Sequence, residues 1–79
     1  MNNTDEIKIA VKKLFDKTTD IHVDVISRKP KIRIENAPAR IVGVYKNLFT
    51  IEVNEDGLKK VFTIPYTDLF IGKVVIKEL

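Results

Sequence analysis

The chain has one histidine, His22, and one serine, Ser27, so imidazole-base or serine-nucleophile chemistry would have to run through these two. A general base must reach the proton it takes, and a serine needs such a base beside it. His22 falls in the alternating run Ile21-His22-Val23-Asp24-Val25, which reads as a strand with the histidine turned to solvent. Nothing in the spacing suggests that Ser27 meets it. The three glycines, Gly43, Gly57 and Gly72, are scattered and form no phosphate-cradling loop. Glu52, Asn54, Glu55 and Asp56 are acidic and polar, yet they lack the alternating ligand spacing and distal glutamate of a calcium loop. They read as a solvated hairpin turn. Asp68 is expected to hydrogen-bond within its own short turn. Cysteine is absent, which excludes disulfides and thiolate metal sites. The expectation is no catalytic residue, no cofactor and no metal.

Charge is more informative. Between Asp24 and Glu35 there is no acid, and Arg28, Lys29, Lys31 and Arg33 give this stretch four positive charges against a net charge of +3 for the whole chain. A basic turn on a small domain is a candidate for phosphate contact. Arg40 joins it if the second strand runs on past Pro38. Single-stranded readers add exposed aromatics, for which Tyr45 and Tyr66 are the candidates, and Tyr45 joins the basic residues as a contact candidate. Phe49 and Phe62 are expected inside. The plainer reading of the same charges is a solvated hairpin that protects strand edges from pairing. Lys8, Lys12 and Lys13 are interleaved with Asp5, Glu6 and Asp16, which speaks against a lipid-binding helix. The expected partner is nucleic acid or a regulatory protein, with no membrane.

These residues must be positioned by a small scaffold. With 79 residues, one domain spans 1–79 and its core is thin. Self-association as a homodimer, through a strand edge or the helix, would add burial. Isoleucine and valine make up 20 of the 79 residues, which tilts the fold toward β. Ile7, Ala10, Val11, Leu14 and Phe15 form one helical stripe, with Asn3 and Glu6 spaced as a capping box, so a helix is expected over 3–17. From Thr19 the period changes to two, and 20–79 reads as about five short antiparallel strands. The expected core includes Val23, Ile34, Ile41, Ile51, Val61 and Val74. Asn36-Ala37-Pro38-Ala39 should interrupt the second strand, Gly43 should mark a bend, and Pro65–Phe70 should make a single 3₁₀ turn. The expected fold is mainly β: a small closed SH3-like or Sm-like barrel with an N-terminal α-helix. Closure would remove the free sheet edges.

The run from Ile34 to Ile76 resembles the Veg family, small proteins of Gram-positive bacteria. The segments that carry it are Ala39-Arg40-Ile41-Val42-Gly43-Val44-Tyr45, Leu48-Phe49-Thr50-Ile51-Glu52-Val53 and Phe62-Thr63-Ile64-Pro65-Tyr66-Thr67-Asp68-Leu69-Phe70. Tyr66-Thr67-Asp68-Leu69 matches the family's Tyr-x-Asp pattern, with Phe70 in place of leucine. Where the family has Gly-Gly and a basic residue after the first strand, this chain has Ser27-Arg28-Lys29-Pro30-Lys31, keeping the charge and losing the glycines. The resemblance implies a non-enzymatic cytoplasmic protein linked to regulation of biofilm formation. A second similarity, in architecture and in Val42–Phe49, is to Sm-like RNA chaperones, without their C-terminal Tyr-Lys-His signature.

Overall fold

The computed structural model describes residues 3–17, 20–28 and 31–79, with the side chains of 3 and 4 left out. The elements run α1 (Asn3–Asp16), β1 (Ile21–Arg28), β2 (Lys31–Val44), β3 (Leu48–Glu55), β4 (Leu58–Pro65), α2 (Tyr66–Phe70) and β5 (Val74–Ile76). The capping box at Asn3, the Thr18-Thr19 helix boundary and the Lys29-Pro30 turn are expectations that lie outside the described residues.

In α1 the helical stripe turns inward as expected. Val11 is fully buried, and Ile7, Leu14 and Phe15 pack partly buried against the same core. Asp5 and Glu6 in the first turn and Lys13 in the last complement the helix dipole. The helix lies on β2 and α2.

The five strands form one antiparallel sheet in the order β4-β3-β2-β1-β5. The expected interruption at Asn36–Ala39 does not occur. β2 is one 14-residue strand that absorbs the irregularity as a bulge: the register shifts between Val23 and Val25, so Glu35 and Asn36 together oppose Asp24. Asn36 takes a left-handed φ of 48°, and its N–H donates to Asp24 Oδ1 at 2.7 Å. Asparagine tolerates that conformation better than most residues. The β2–β3 ladder starts at Ala39, so Pro38 is paired only on the β1 side, an edge-like position that tolerates proline.

A second bulge lies between Ile41 and Gly43. There the Tyr45 hydroxyl and Thr50 Oγ1 come so close that a Cβ on residue 43 would sit 2.7 and 2.9 Å from them. A side chain at this position would require Tyr45, which is exposed, and Thr50 to move aside.

The two bulges bend β2, and the sheet curls until its two edges share one core. Ile64 of β4 and Val74 and Ile76 of β5 belong to the same buried cluster as Val23, Ile34, Ile41, Phe49 and Ile51. The curl stops short of a closed barrel, because β4 and β5 do not pair. β5 is only three residues long, and the chain leaves β4 through Pro65 into α2. α2 is a five-residue α-helix rather than the expected 3₁₀ turn. It starts after extended Pro65 and has no side-chain cap, so Asp68 does not cap it.

Val61, expected in the core, is exposed; the alternate residues Phe62 and Ile64 turn inward instead. Tyr66 is buried against Phe49, with ring centroids 5.4 Å apart, and its hydroxyl donates to Tyr45 O at 2.7 Å.

Candidate anionic-partner interface

The end of the β1–β2 hairpin carries the basic stretch. In the ladder Arg28 faces Lys31, Ser27 faces Ile32 and Ile26 faces Arg33. Opposed residues share a sheet face, and so do residues two apart along one strand. Ile26, Arg28, Lys31 and Arg33 therefore occupy one face, and Ser27 and Ile32 the other.

β5 returns beside this end. The Ile26 N–H donates to Lys73 O at 2.8 Å, which brings Ile71, Gly72 and Lys73 alongside. A groove of about 670 Å³ lies between Ile26-Ser27-Arg28 and Ile71-Gly72-Lys73. A second groove of about 260 Å³ runs along Ile26–Arg28 and Lys31–Arg33. Four basic side chains line the two grooves and no acidic one does.

The cations differ in what holds them. Arg33 Nε donates to Glu35 Oε1 at 2.8 Å. Among the described residues, Arg28, Lys31 and Lys73 have no ion-pair partner.

Of the six residues singled out from sequence, the hairpin gathers Arg28, Lys31 and Arg33, and Lys29 lies outside the described residues. Arg40 and Tyr45 are elsewhere. β2 does run on past Pro38, but this carries Arg40 away from the hairpin end. Its Nη2 reaches Asp20 Oδ1 at 3.0 Å, next to the start of β1. Tyr45 follows the far end of β2, where its N–H donates to Leu48 O at 2.9 Å in the turn that leads into β3. Sequence reading missed Lys73, Ile26 and Ile71. The place of Ile71 and Lys73 beside Ile26 depends on β5 pairing with β1 across about fifty residues of chain, a long-range pairing for which local pattern carries no signal.

Several other polar residues are engaged in contacts across the sheet. His22 N–H donates to Glu78 Oε1 at 2.8 Å, and its Nδ1 lies 3.0 Å from Glu78 Oε2. Ser27 is five residues further along the same strand, about 16 Å away at the usual rise, so it makes no pair with His22. Lys77 Nζ lies 2.7 Å from Asp24 Oδ2. That Lys77 contact, helped by the Asn36 N–H, holds the Asp24 carboxyl below the usual carboxylate range. The His22 contacts do the same for Glu78. Burial raises the Tyr66 hydroxyl above its ordinary value, against the smaller opposing effect of its bond to Tyr45 O.

The acidic turn is a hairpin whose carboxylates reach cross-strand lysines, Glu52 to Lys59 at 3.7 Å and Glu55 to Lys60 at 3.9 Å. Among the described residues no group of three or more His, Asp or Glu side chains is placed to hold a metal ion. No described helix is long and apolar enough to cross a membrane.

The fold and this surface define a small open-sheet β domain with one basic, grooved end. Compared with protein-family models, characterised proteins and solved structures, the chain matches none of them.

Proposed function

We propose that this chain is a non-enzymatic, cytoplasmic regulatory binding module whose contact surface is the basic end of the β1–β2 hairpin, and that its partner is nucleic acid held through the phosphates. The observation that carries the reading is the charge around the two grooves: Arg28, Lys31, Arg33 and Lys73 with no acid among the lining residues. Neither groove has an aromatic lining residue. Base stacking therefore has no platform there, and contact to the backbone, indifferent to sequence, is what the surface offers. The Veg resemblance supports a regulatory role, with biofilm formation as the process it implies. The Sm-like alternative would use the same end for RNA.

A second reading, an acidic protein partner, draws on Ile26 and Ile71, which are exposed beside the cations. It predicts binding to protein without binding to free nucleic acid.

Binding of a labelled mixed-sequence single- or double-stranded oligonucleotide, followed by anisotropy, tests the main reading. Three or four phosphate contacts predict that log K falls against log salt with a slope of roughly −3. Arg28→Glu with Lys31→Glu should abolish binding and leave the fold intact, since exposed charges contribute little stability. Glu55→Ala, in the β3–β4 turn, should tighten binding slightly, because Glu55 lines a shallow groove with Lys31 and Arg33. No measurable binding at about 50 mM salt, where the electrostatic contribution is large, would sink the nucleic-acid reading and move attention to acidic protein surfaces.

A further inference from the structure

The open sheet leaves β4 as an eight-residue edge strand. Lys59, Lys60 and Pro65 guard this edge in part, but Leu58 and Val61 are 64% and 63% exposed, and no bulge interrupts its ladder with β3.

The turn fixes which backbone groups face outward. Asp56 and Gly57 have φ of 52° and 82°, a type I′ pair, so Glu55 and Leu58 exchange the first hydrogen bonds of the hairpin. Alternation then turns the backbone groups of Lys59, Val61, Thr63 and Pro65 away from β3, toward the empty edge. The side chains of these four residues are exposed as well.

We infer that β4 pairs antiparallel with β4 of a second copy of this chain, about a two-fold axis through Val61. The inference is independent of the nucleic-acid reading. A register argument carries it. An isologous pairing must set outward-facing residues opposite one another, which leaves few choices. Centring the axis on Lys59 or Lys60 puts a lysine directly opposite its own copy, which is destabilising. Centring it on Phe62 or Thr63 brings Pro65, which has no N–H, into a hydrogen-bonding position of the ladder.

Centring it on Val61 avoids both faults. Val61 meets Val61, Lys59 meets Thr63, Lys60 meets Phe62, and Pro65 falls opposite Gly57 at the turn. The pairing forms about six backbone hydrogen bonds and joins two sheets into one. β5 could not serve equally, since only three residues form it.

The interface is small, so the expected dissociation constant is roughly 10–100 μM. Sedimentation equilibrium of the full chain should show a monomer–dimer equilibrium in that range. Val61→Lys and Val61→Glu should each weaken the dimer about tenfold or more, because each sets like charges across the axis. Mixing the two variants should restore a heterodimer. Val61→Pro should also dissociate the dimer and keep the fold, because the N–H it removes is not used within the chain.

Folding of each variant is checked by circular dichroism. A wild-type chain that stays monomeric at about 300 μM, well above the expected constant, overturns the inference. So does a dimer insensitive to Val61→Pro, a mixture of charge variants that does not re-pair, or growth beyond dimers, which would mean a head-to-tail contact.

Discussion

At the scale of single residues the most informative side chain is Tyr66. It is buried, stacks near Phe49 and donates its hydroxyl to Tyr45 O at 2.7 Å, so it ties α2 to the turn between β2 and β3. Tyr66→Phe keeps the packing and removes one hydrogen bond, leaving the Tyr45 carbonyl without that donor. The expected loss is about 1 kcal/mol, a fall in melting temperature of roughly 4–8 °C for a domain of this size. Tyr66→Ala should cost about 3–5 kcal/mol, since it also empties the space beside Phe49. Thermal unfolding of the two variants checks both values; equal losses would mean that the hydroxyl dominates and the ring contributes nothing. The inward places of Phe49 and Ile51 were legible in the sequence because alternation fixes which residues share a face. Val61 was assigned to the wrong face because β4 has apolar residues on both, Val61 on one and Phe62 and Ile64 on the other. Period alone does not say which face meets the core.

At the scale of elements, α1, β1, β3, β4 and the short last strand β5 were legible, since each has its own period. β2 was read as broken because Asn36 and Pro38 are turn residues. Tertiary pairing overrode that preference by placing Asn36 in a bulge and Pro38 where β3 is absent. β5 draws its position from contacts far away in sequence. Its outer end is latched to β1 by the His22–Glu78 and Lys77–Asp24 contacts and by the Lys77 N–H bond to His22 O at 2.9 Å. Both carboxyls are held below their ordinary range, by Lys77 in one case and His22 in the other. A depressed carboxyl contributes stability that is present above its unfolded value and is lost as pH falls through its folded value. The latch should therefore hold at neutral pH and loosen below about pH 4. Amide exchange should show this as early loss of protection at Asn36, His22 and Lys77, ahead of Ile51 in the middle of the sheet. Uniform loss across the sheet would argue against a local latch. Glu78→Gln should remove the pH dependence at His22 and leave it at Asn36, which depends on Asp24.

At the scale of the whole molecule, an open sheet raises the question of what keeps its two edges around one core. The strands alone do not, since β4 and β5 exchange no hydrogen bonds. The helices supply the rest: α1 packs on β2 and on α2, and α2 in turn contacts β4 and β5. Val11 is fully buried at this junction and belongs to the same cluster as the strand residues. The helix is thus part of the one buried cluster found among the described residues, and a domain of this size has roughly 4–12 kcal/mol of total stability to lose. Val11→Ala should cost about 1–3 kcal/mol, and Val11→Asp, which buries a charge among apolar side chains without a partner, should abolish folding outright. If α1 were an accessory, the far-ultraviolet signal of the helix and the near-ultraviolet signal of Tyr66 would separate in a urea titration of Val11→Ala, with the sheet persisting after the helix melts. A single core predicts that the two signals fall together, with one midpoint lower than that of the wild-type chain and an unchanged slope.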